Sequence, residues 1–244
     1  KFGGESLAGV DCNLQAGVDF VKSKDKAAKV RAASRLEKFA GGWTFALDGD
    51  DGAAAFQVAI DRKGKGKLSG TLPDGTKVSV SVQGVLGDDA LAVPFAYSKK
   101  GAFAFVFWAR ENGTAEISDL TGTVSGKAIQ TDVVAPSRNH ALADGSGHLF
   151  DCELFDGGQN FTVKNGKWDF GKHVRKPKDG QTDPNPHEIK LSFAAKTGAV
   201  KGSFSVLDEN GKKQKYTMNG VVVDGSLYGS AVNRKIGFVR VFAK

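Results

Sequence analysis

The chain has 244 residues, of which 40% are hydrophobic and 25% are charged, and its net charge is +7. This size and composition exclude a miniature fold that depends on metals or disulfides, because a sizeable core can be buried. No apolar run approaches the ~20 residues of a membrane-spanning helix, so we expect no transmembrane segment. The positive charge favours anionic partners such as nucleic acid, acidic glycans or lipopolysaccharide, although scattered lysines are also typical of exposed strand surfaces.

The N-terminal segment, residues 1–42, contains one predicted helix at about residues 24–40. Ser23 or Asp25 can cap its start, and Gly41 with Gly42 ends it. One stripe of the helix is apolar and is formed by Ala28, Ala32, Leu36 and Phe39. The opposite face is basic, but the alanine-rich stripe is thin, which favours packing against a sheet over binding to a membrane or nucleic acid.

From Trp43 onward the hydrophobic period changes to two. Val78, Val80 and Val82 alternate with polar residues, which indicates a half-buried strand. The segment GAFAFVFWAR, residues 101–110, is apolar on both faces and is therefore predicted to be a central or covered strand. Turn signals recur every 8 to 12 residues or so, the spacing typical of an all-β meander, sandwich or barrel.

Two stretches of the chain repeat each other loosely. Four residues of the first match four of the second at one constant spacing: Gly84, Leu91, Lys99 and Gly101 match Gly220, Leu227, Lys235 and Gly237. We interpret residues 43–126 and 188–244 as two related five-stranded antiparallel meanders, joined by an irregular segment, 127–187, with short strands. The predicted fold is all-β, with both meanders forming a barrel or sandwich, so that 43–244 is one compact unit.

Turn and glycine motifs recur in both halves. The first half contains KGKGKLSGTLPDGTKVS from Lys63, then VPF, KKG and LTGTV, and the second contains KLSFAAKTGAVKGSF from Lys190 and VDGSLYG from Val223. These motifs resemble repeated β-rich modules near the C-termini of large, poorly characterised exported or surface proteins of planctomycete, verrucomicrobial and related bacteria. The resemblance implies an extracytoplasmic accessory or surface module, and it carries no catalytic residues over to this chain.

The two cysteines, Cys12 and Cys152, allow one long-range disulfide, which would place the protein in an oxidising compartment. The sequence alone leaves open whether they are bonded. Because the chain begins at Lys1 without a signal-like start, we expect any signal peptide to have been removed, and the chain to be part of a larger protein.

No catalytic or cofactor motif is evident. A hydrolase site could be assembled from His140, Asp144, Ser146 and His148, but no GxSxG elbow accompanies these residues. The same histidines match no established metal-ligand spacing. We therefore expect no metal, no cofactor and no catalytic residues, with the hydrolase retained as an alternative.

Binding residues are predicted among aromatic and basic side chains in the second half. The candidates are Trp168, His173, Arg175, Lys176, His187 and Tyr228. Four of them, all except Trp168 and Tyr228, lie in the polar, proline-rich loop KHVRKPKDGQTDPNPH, residues 172–187, which is expected to be exposed. The predicted function is a non-catalytic binding or structural module that contacts a glycan or another envelope protein. The alternatives are the hydrolase and an electrostatic nucleic-acid binder.

Overall fold

The computed structural model describes residues 25–50, 52–99, 102–124, 127–128, 132–141 and 144–244. Over these residues the chain is all-β with one short N-terminal helix, which confirms the predicted fold class. The elements are α1 (Lys26–Lys38), β1 (Gly41–Gly49), β2 (Gly52–Ile60), β3 (Lys65–Thr71), β4 (Lys77–Gln83), β5 (Val85–Leu86), β6 (Ala90–Tyr97), β7 (Ala102–Arg110), β8 (Ala115–Val124), β9 (Lys127–Ala128), β10 (Asp132–Ser137), β11 (Gly145–Cys152), β12 (Gln159–Lys164), β13 (Lys167–Asp169), β14 (Lys190–Ala194), β15 (Ala199–Leu207), β16 (Lys213–Val223), β17 (Ser226–Asn233) and β18 (Gly237–Ala243).

The helix α1 begins where the sequence predicts. The Asp25 side chain caps it by accepting a hydrogen bond from the backbone N–H of Ala27 at 2.8 Å. Along the predicted apolar stripe, Leu36 and Phe39 are buried in the core of the neighbouring sheets. The Arg35 guanidinium donates to the carbonyl of Gly87 at 2.7 Å. The helix therefore packs across one end of those sheets.

The first unit, called the N-terminal sandwich, consists of β1 to β10. Its two five-stranded sheets have the strand orders β10-β1-β2-β3-β4 and β5-β6-β7-β8-β9. The chain passes from the first sheet to the second at Gly84, where a Cβ atom would lie 2.9 Å from the carbonyl oxygen of Gly64. The shared core is filled by aromatic rings, namely Trp43, Phe45, Phe56, Phe95, Tyr97, Phe103, Phe105 and Phe107.

The second unit, called the C-terminal barrel, consists of β11 to β18. These strands form one antiparallel sheet in the order β13-β12-β11-β18-β17-β16-β15-β14. The sheet curls until its edge strands meet, with Trp168 of β13 packed on Phe193 of β14 at 5.7 Å between ring centroids. A separate core fills this nearly closed barrel, and it includes Phe150, Phe204, Tyr216 and Met218.

The middle segment completes both units. We predicted residues 127–187 to be a connection, but its strand β10 pairs with β1, and β11 pairs with β18. β10 and β11 thus extend the sheets of the two units, and each unit buries its apolar faces in its own core, so the two meanders do not share one. The five strands predicted for the second copy are present as β14 to β18. Those predicted for the first are present as β2 to β7, because the third of them is divided at Gly84 into β4 and β5, and the origin of the copies by duplication stays a prediction.

The two units are joined by a close interface. Ala46 and Ala55 on the outer face of the N-terminal sandwich contact Val221 and Val223 of the C-terminal barrel. The small alanine side chains allow the two sheets to approach closely.

Polar contacts fix the orientation of the two units. The Arg240 guanidinium of β18 donates to the Asp48 carboxylate of β1 at 2.7 Å, and this hydrogen bond raises the pKa of Arg240. The hydroxyl of Ser230 donates to the carbonyl of Ala53 at 3.0 Å and accepts from its N–H at 2.9 Å. These specific hydrogen bonds and the ion pair hold the two units together as one docked body.

Candidate functional site

The candidate site is a pocket of about 210 Å³ at one end of the C-terminal barrel, called the mouth pocket. The antiparallel registers bring to this end the start of β11, the β12–β13 turn, the β14–β15 turn, the β16–β17 turn and the end of β18. The lining residues are His148, Phe161, Val163, Trp168, Asp224, Gly225, Ser226, Leu227, Ala243 and Lys244. The lining residues thus come from four separate segments of the chain, and the β14–β15 turn lies at the same end without lining the pocket.

The floor of the mouth pocket is apolar and its walls are aromatic. Phe161 and Leu227 are buried core residues that form part of the floor. The imidazole of His148 stacks on the Phe161 ring, with centroids 5.2 Å apart and planes 19° apart. Trp168 is half-buried and is held from behind by Phe193. The rings of His148 and Trp168 are therefore held in place by their packing on Phe161 and Phe193.

Several polar groups of the mouth pocket retain free hydrogen-bonding capacity. Within the described parts of the chain, no protein group bonds either ring nitrogen of His148 or the indole N–H of Trp168. Asp224 accepts from the Ser137 hydroxyl through Oδ1 at 2.6 Å, which leaves Oδ2 available. Such an apolar floor with a few convergent polar groups is the usual character of a small-molecule site.

The predicted hydrolase residues are not assembled into one site. His140 lies beside the interface between the units, with Nδ1 3.2 Å from the Thr44 hydroxyl, and burial lowers its pKa. Asp144 holds the β12–β13 turn by accepting from the N–H of Gly166 at 3.1 Å. No hydrogen bond joins His140, Asp144 and His148 where the chain is described, and the Ser146 side chain lies outside that description. Of the three candidates whose side chains are described, His148 alone lines the mouth pocket.

The predicted binding loop is anchored at its base by histidines. His173 lies between two carboxylates, with Nδ1 2.6 Å from Asp183 and Nε2 3.2 Å from Glu188. His187 stacks on Phe155 at 3.8 Å between centroids, and burial lowers its pKa. His173 and His187 thus hold the loop against the barrel.

The outer part of the loop is exposed, as predicted. Arg175 and Lys176 are exposed there and form no ion pair among the described residues. A broad, open groove of about 860 Å³ runs between β12 and the loop. Its carboxylates, Asp169 and Asp183, already accept hydrogen bonds from the backbone N–H groups of Gly171 and Val174. The groove is a larger and more open concavity than the mouth pocket.

Tyr228 lies in the interface between the two units, packed against Phe242 at 5.2 Å between centroids. Burial raises its pKa. The predicted binding residue Tyr228 is therefore part of the packing between the two units.

Cys152 is a free, buried thiol whose pKa is raised to about 12, mainly by burial. Cys12 lies outside the described residues, so the disulfide stays a prediction. Among the residues that the structure describes, no cluster of three or more His, Cys, Asp or Glu side chains could hold a metal ion. None of the described helical residues form a span long and apolar enough to cross a membrane.

Phe161, Asp224 and Ser226 line the mouth pocket but are not among the binding residues predicted from the sequence. The available signals were the turns Asn165-Gly166 and Asp224-Gly225, which mark hairpins, but nothing in a turn indicates which hairpins share a barrel end.

Comparisons with known proteins give no further assignment. No family model, no curated protein and no solved structure matches this chain.

Proposed function

We propose that this chain is a non-catalytic binding module of an exported or cell-surface protein, and that its mouth pocket binds one sugar ring of a glycan. The observation that carries the proposal is the pairing of fixed aromatic faces with free hydrogen-bonding groups in one concavity. The extracytoplasmic setting is supported by the sequence resemblance stated above.

A sugar ring matches this arrangement chemically. Its C–H faces pack on aromatic rings, and its hydroxyls both donate and accept hydrogen bonds. Trp168 offers the aromatic face, while His148, Asp224 and Ser226 offer donors and acceptors around it. The volume of about 210 Å³ lies below the roughly 300–1,000 Å³ of pockets for drug-sized ligands. One ring fits that size better than a longer oligosaccharide does.

A glycan array compares the wild-type protein with two matched variants. Trp168→Ala removes the aromatic wall of the mouth pocket. Trp108→Ala removes the half-buried tryptophan of the N-terminal sandwich, whose indole donates to Ser118 at 2.9 Å, and serves as the control. We expect Trp168→Ala to weaken glycan binding about tenfold or more, because truncating a central aromatic contact typically costs over 1 kcal/mol.

The control variant should keep wild-type binding. If no glycan is retained, or if Trp168→Ala binds as the wild type does, the mouth pocket is not a glycan site. Circular dichroism of both variants confirms that each is folded before binding is compared.

A further inference from the structure

Positive charge is concentrated at the barrel end that contains the mouth pocket, and Lys244 lines the pocket itself. Four exposed lysines stand on the strands and turns that meet at this barrel end, and together they are called the lysine rim: Lys164, Lys167, Lys196 and Lys244. Lys164 and Lys167 are direct cross-strand partners on β12 and β13. Like charges in that position repel one another, so the arrangement lowers stability unless an anion is near.

The protein supplies little charge to neutralise this rim. None of the four lysines forms an ion pair among the described residues. Asp144 and Asp224 also lie at this barrel end and keep their negative charge while they accept hydrogen bonds from Gly166 and Ser137, so four lysines against two carboxylates leave a net charge of +2 among these six side chains. Residues 145–244 carry 16 Lys and Arg against 10 Asp and Glu, which is a net charge of +6 within the +7 of the whole chain.

We infer that the glycan is acidic, with a carboxylate or sulfate group on or next to the sugar ring that occupies the mouth pocket. This inference rests on the proposed function. The ring enters between Trp168 and His148, and the anionic group faces the lysine rim. Ammonium groups on flexible stems suit such a ligand, because they can approach an anion from several directions.

Single-stranded nucleic acid fits the site less well. It requires a series of stacking rings along a basic groove, whereas this pocket is a small concavity with two aromatic faces, those of Trp168 and His148. A short oligothymidylate of matched charge therefore serves as a competing probe.

Calorimetric titration tests the inference with three carbohydrate probes. These are oligogalacturonate, a heparin-derived oligosaccharide, and the neutral oligosaccharide obtained by reducing the carboxyl groups of oligogalacturonate. We expect at least one acidic probe to bind about tenfold more tightly than the neutral probe, and oligothymidylate to bind more weakly than that acidic probe.

Two double variants with the same loss of charge separate the lysine rim from general electrostatics. Lys164→Gln with Lys167→Gln should weaken binding of the acidic probe about fivefold to tenfold, since two nearby charges are removed. Lys172→Gln with Lys178→Gln, on the exposed loop, should change it less than about twofold.

The outcomes distinguish this inference from the proposed function. Equal binding of the acidic and neutral probes, lost in Trp168→Ala, overturns the acidic ligand and leaves the glycan pocket intact. Acidic binding that survives Trp168→Ala shows a general polyanion effect and overturns both. Acidic binding that is lost in Trp168→Ala but is weakened equally by both lysine pairs overturns the lysine rim and leaves the glycan pocket intact. Tighter binding of oligothymidylate overturns the inference in favour of nucleic acid, and absence of binding to either acidic probe also overturns it.

Discussion

The N-terminal sandwich and the C-terminal barrel use similar strands but differ at their ends. In the sandwich, the helix α1 lies across one end, and the side chains of Leu36 and Phe39 pack into the core there. In the barrel, the mouth pocket remains between Trp168 and His148. In both units, alternating strands form the sheets that enclose a core. The units differ in what lies at one end, which is a packed helix in the sandwich and an open pocket in the barrel.

The two units also differ in charge. Residues 25–144 carry 15 Lys and Arg against 14 Asp and Glu, a net charge of +1, whereas residues 145–244 carry +6. Several cations of the sandwich are paired, such as Lys38 with Glu111 at 2.9 Å. The positive charge of the chain is therefore a property of the unit that has the pocket, which supports a division into a scaffold and a binding unit.

The largest expected effect comes from Phe105→Ala in the core of the sandwich. Phe105 is buried and contacts Phe45 at 5.6 Å and Phe95 at 5.5 Å between centroids. Removing the ring leaves a cavity and should lower the free energy of unfolding by about 3–5 kcal/mol in urea denaturation. Phe105→Leu should cost clearly less. If the surviving folded protein loses glycan binding, the division between scaffold and binding unit is wrong.

A smaller effect is expected from Ala55→Leu at the interface between the units. Ala55 is buried against the barrel, so a larger side chain should force the sheets apart and cost about 1–3 kcal/mol. Ala96→Leu is the matched control, because Ala96 is exposed on β6 and should change stability little. Equal unfolding free energies for the two variants would contradict the close docking of the units.

The ion pair between Asp48 and Arg240 should contribute less to the free energy of unfolding than the packing of Ala55 at the interface. Arg240 is 36% exposed and Asp48 18% exposed, so solvent screens the pair in part. We expect Arg240→Met to cost about 1–2 kcal/mol, because it leaves the Asp48 carboxylate without its partner. Adding Asp48→Asn should recover part of that loss in a double-mutant cycle. Strictly additive effects would show that the two side chains do not interact.

The smallest predicted effect is a dependence of stability on pH. Burial lowers the pKa of His140 and of His187 below the ordinary value of 6.5. The unfolded chain then takes up protons more readily than the folded chain, so the free energy of unfolding should fall as the pH drops below 6.5. In His140→Gln, the loss of stability between about pH 7.5 and about pH 5.5 should be smaller than in the wild type. An unchanged pH dependence would contradict the buried, neutral state of His140.

Local sequence patterns predicted the elements well. The cap at Asp25, the stripe ending at Phe39 and the alternation at Val78 each depend on neighbours within a turn or a strand. The site could be predicted only in part. Trp168 and His148 were selected for separate roles, and their meeting depends on the register of β11, β12 and β13, which pairs His148 with Phe161 and Val163 with Trp168. Such pairing across strands leaves no local signal.

The central claim is that the mouth pocket binds a glycan. The indole N–H signals of the tryptophans test this claim most directly. They are followed in a ¹⁵N–¹H correlation spectrum while a glycan retained by the wild-type protein is added. The chain has three tryptophans. The indole of Trp43 donates to the Gly113 carbonyl at 3.4 Å and that of Trp108 to Ser118 at 2.9 Å, whereas that of Trp168 faces the pocket. We predict that the Trp168 signal shifts and the other two stay in place. A titration that shifts Trp43 or Trp108 while Trp168 is unchanged would place the binding site outside the mouth pocket.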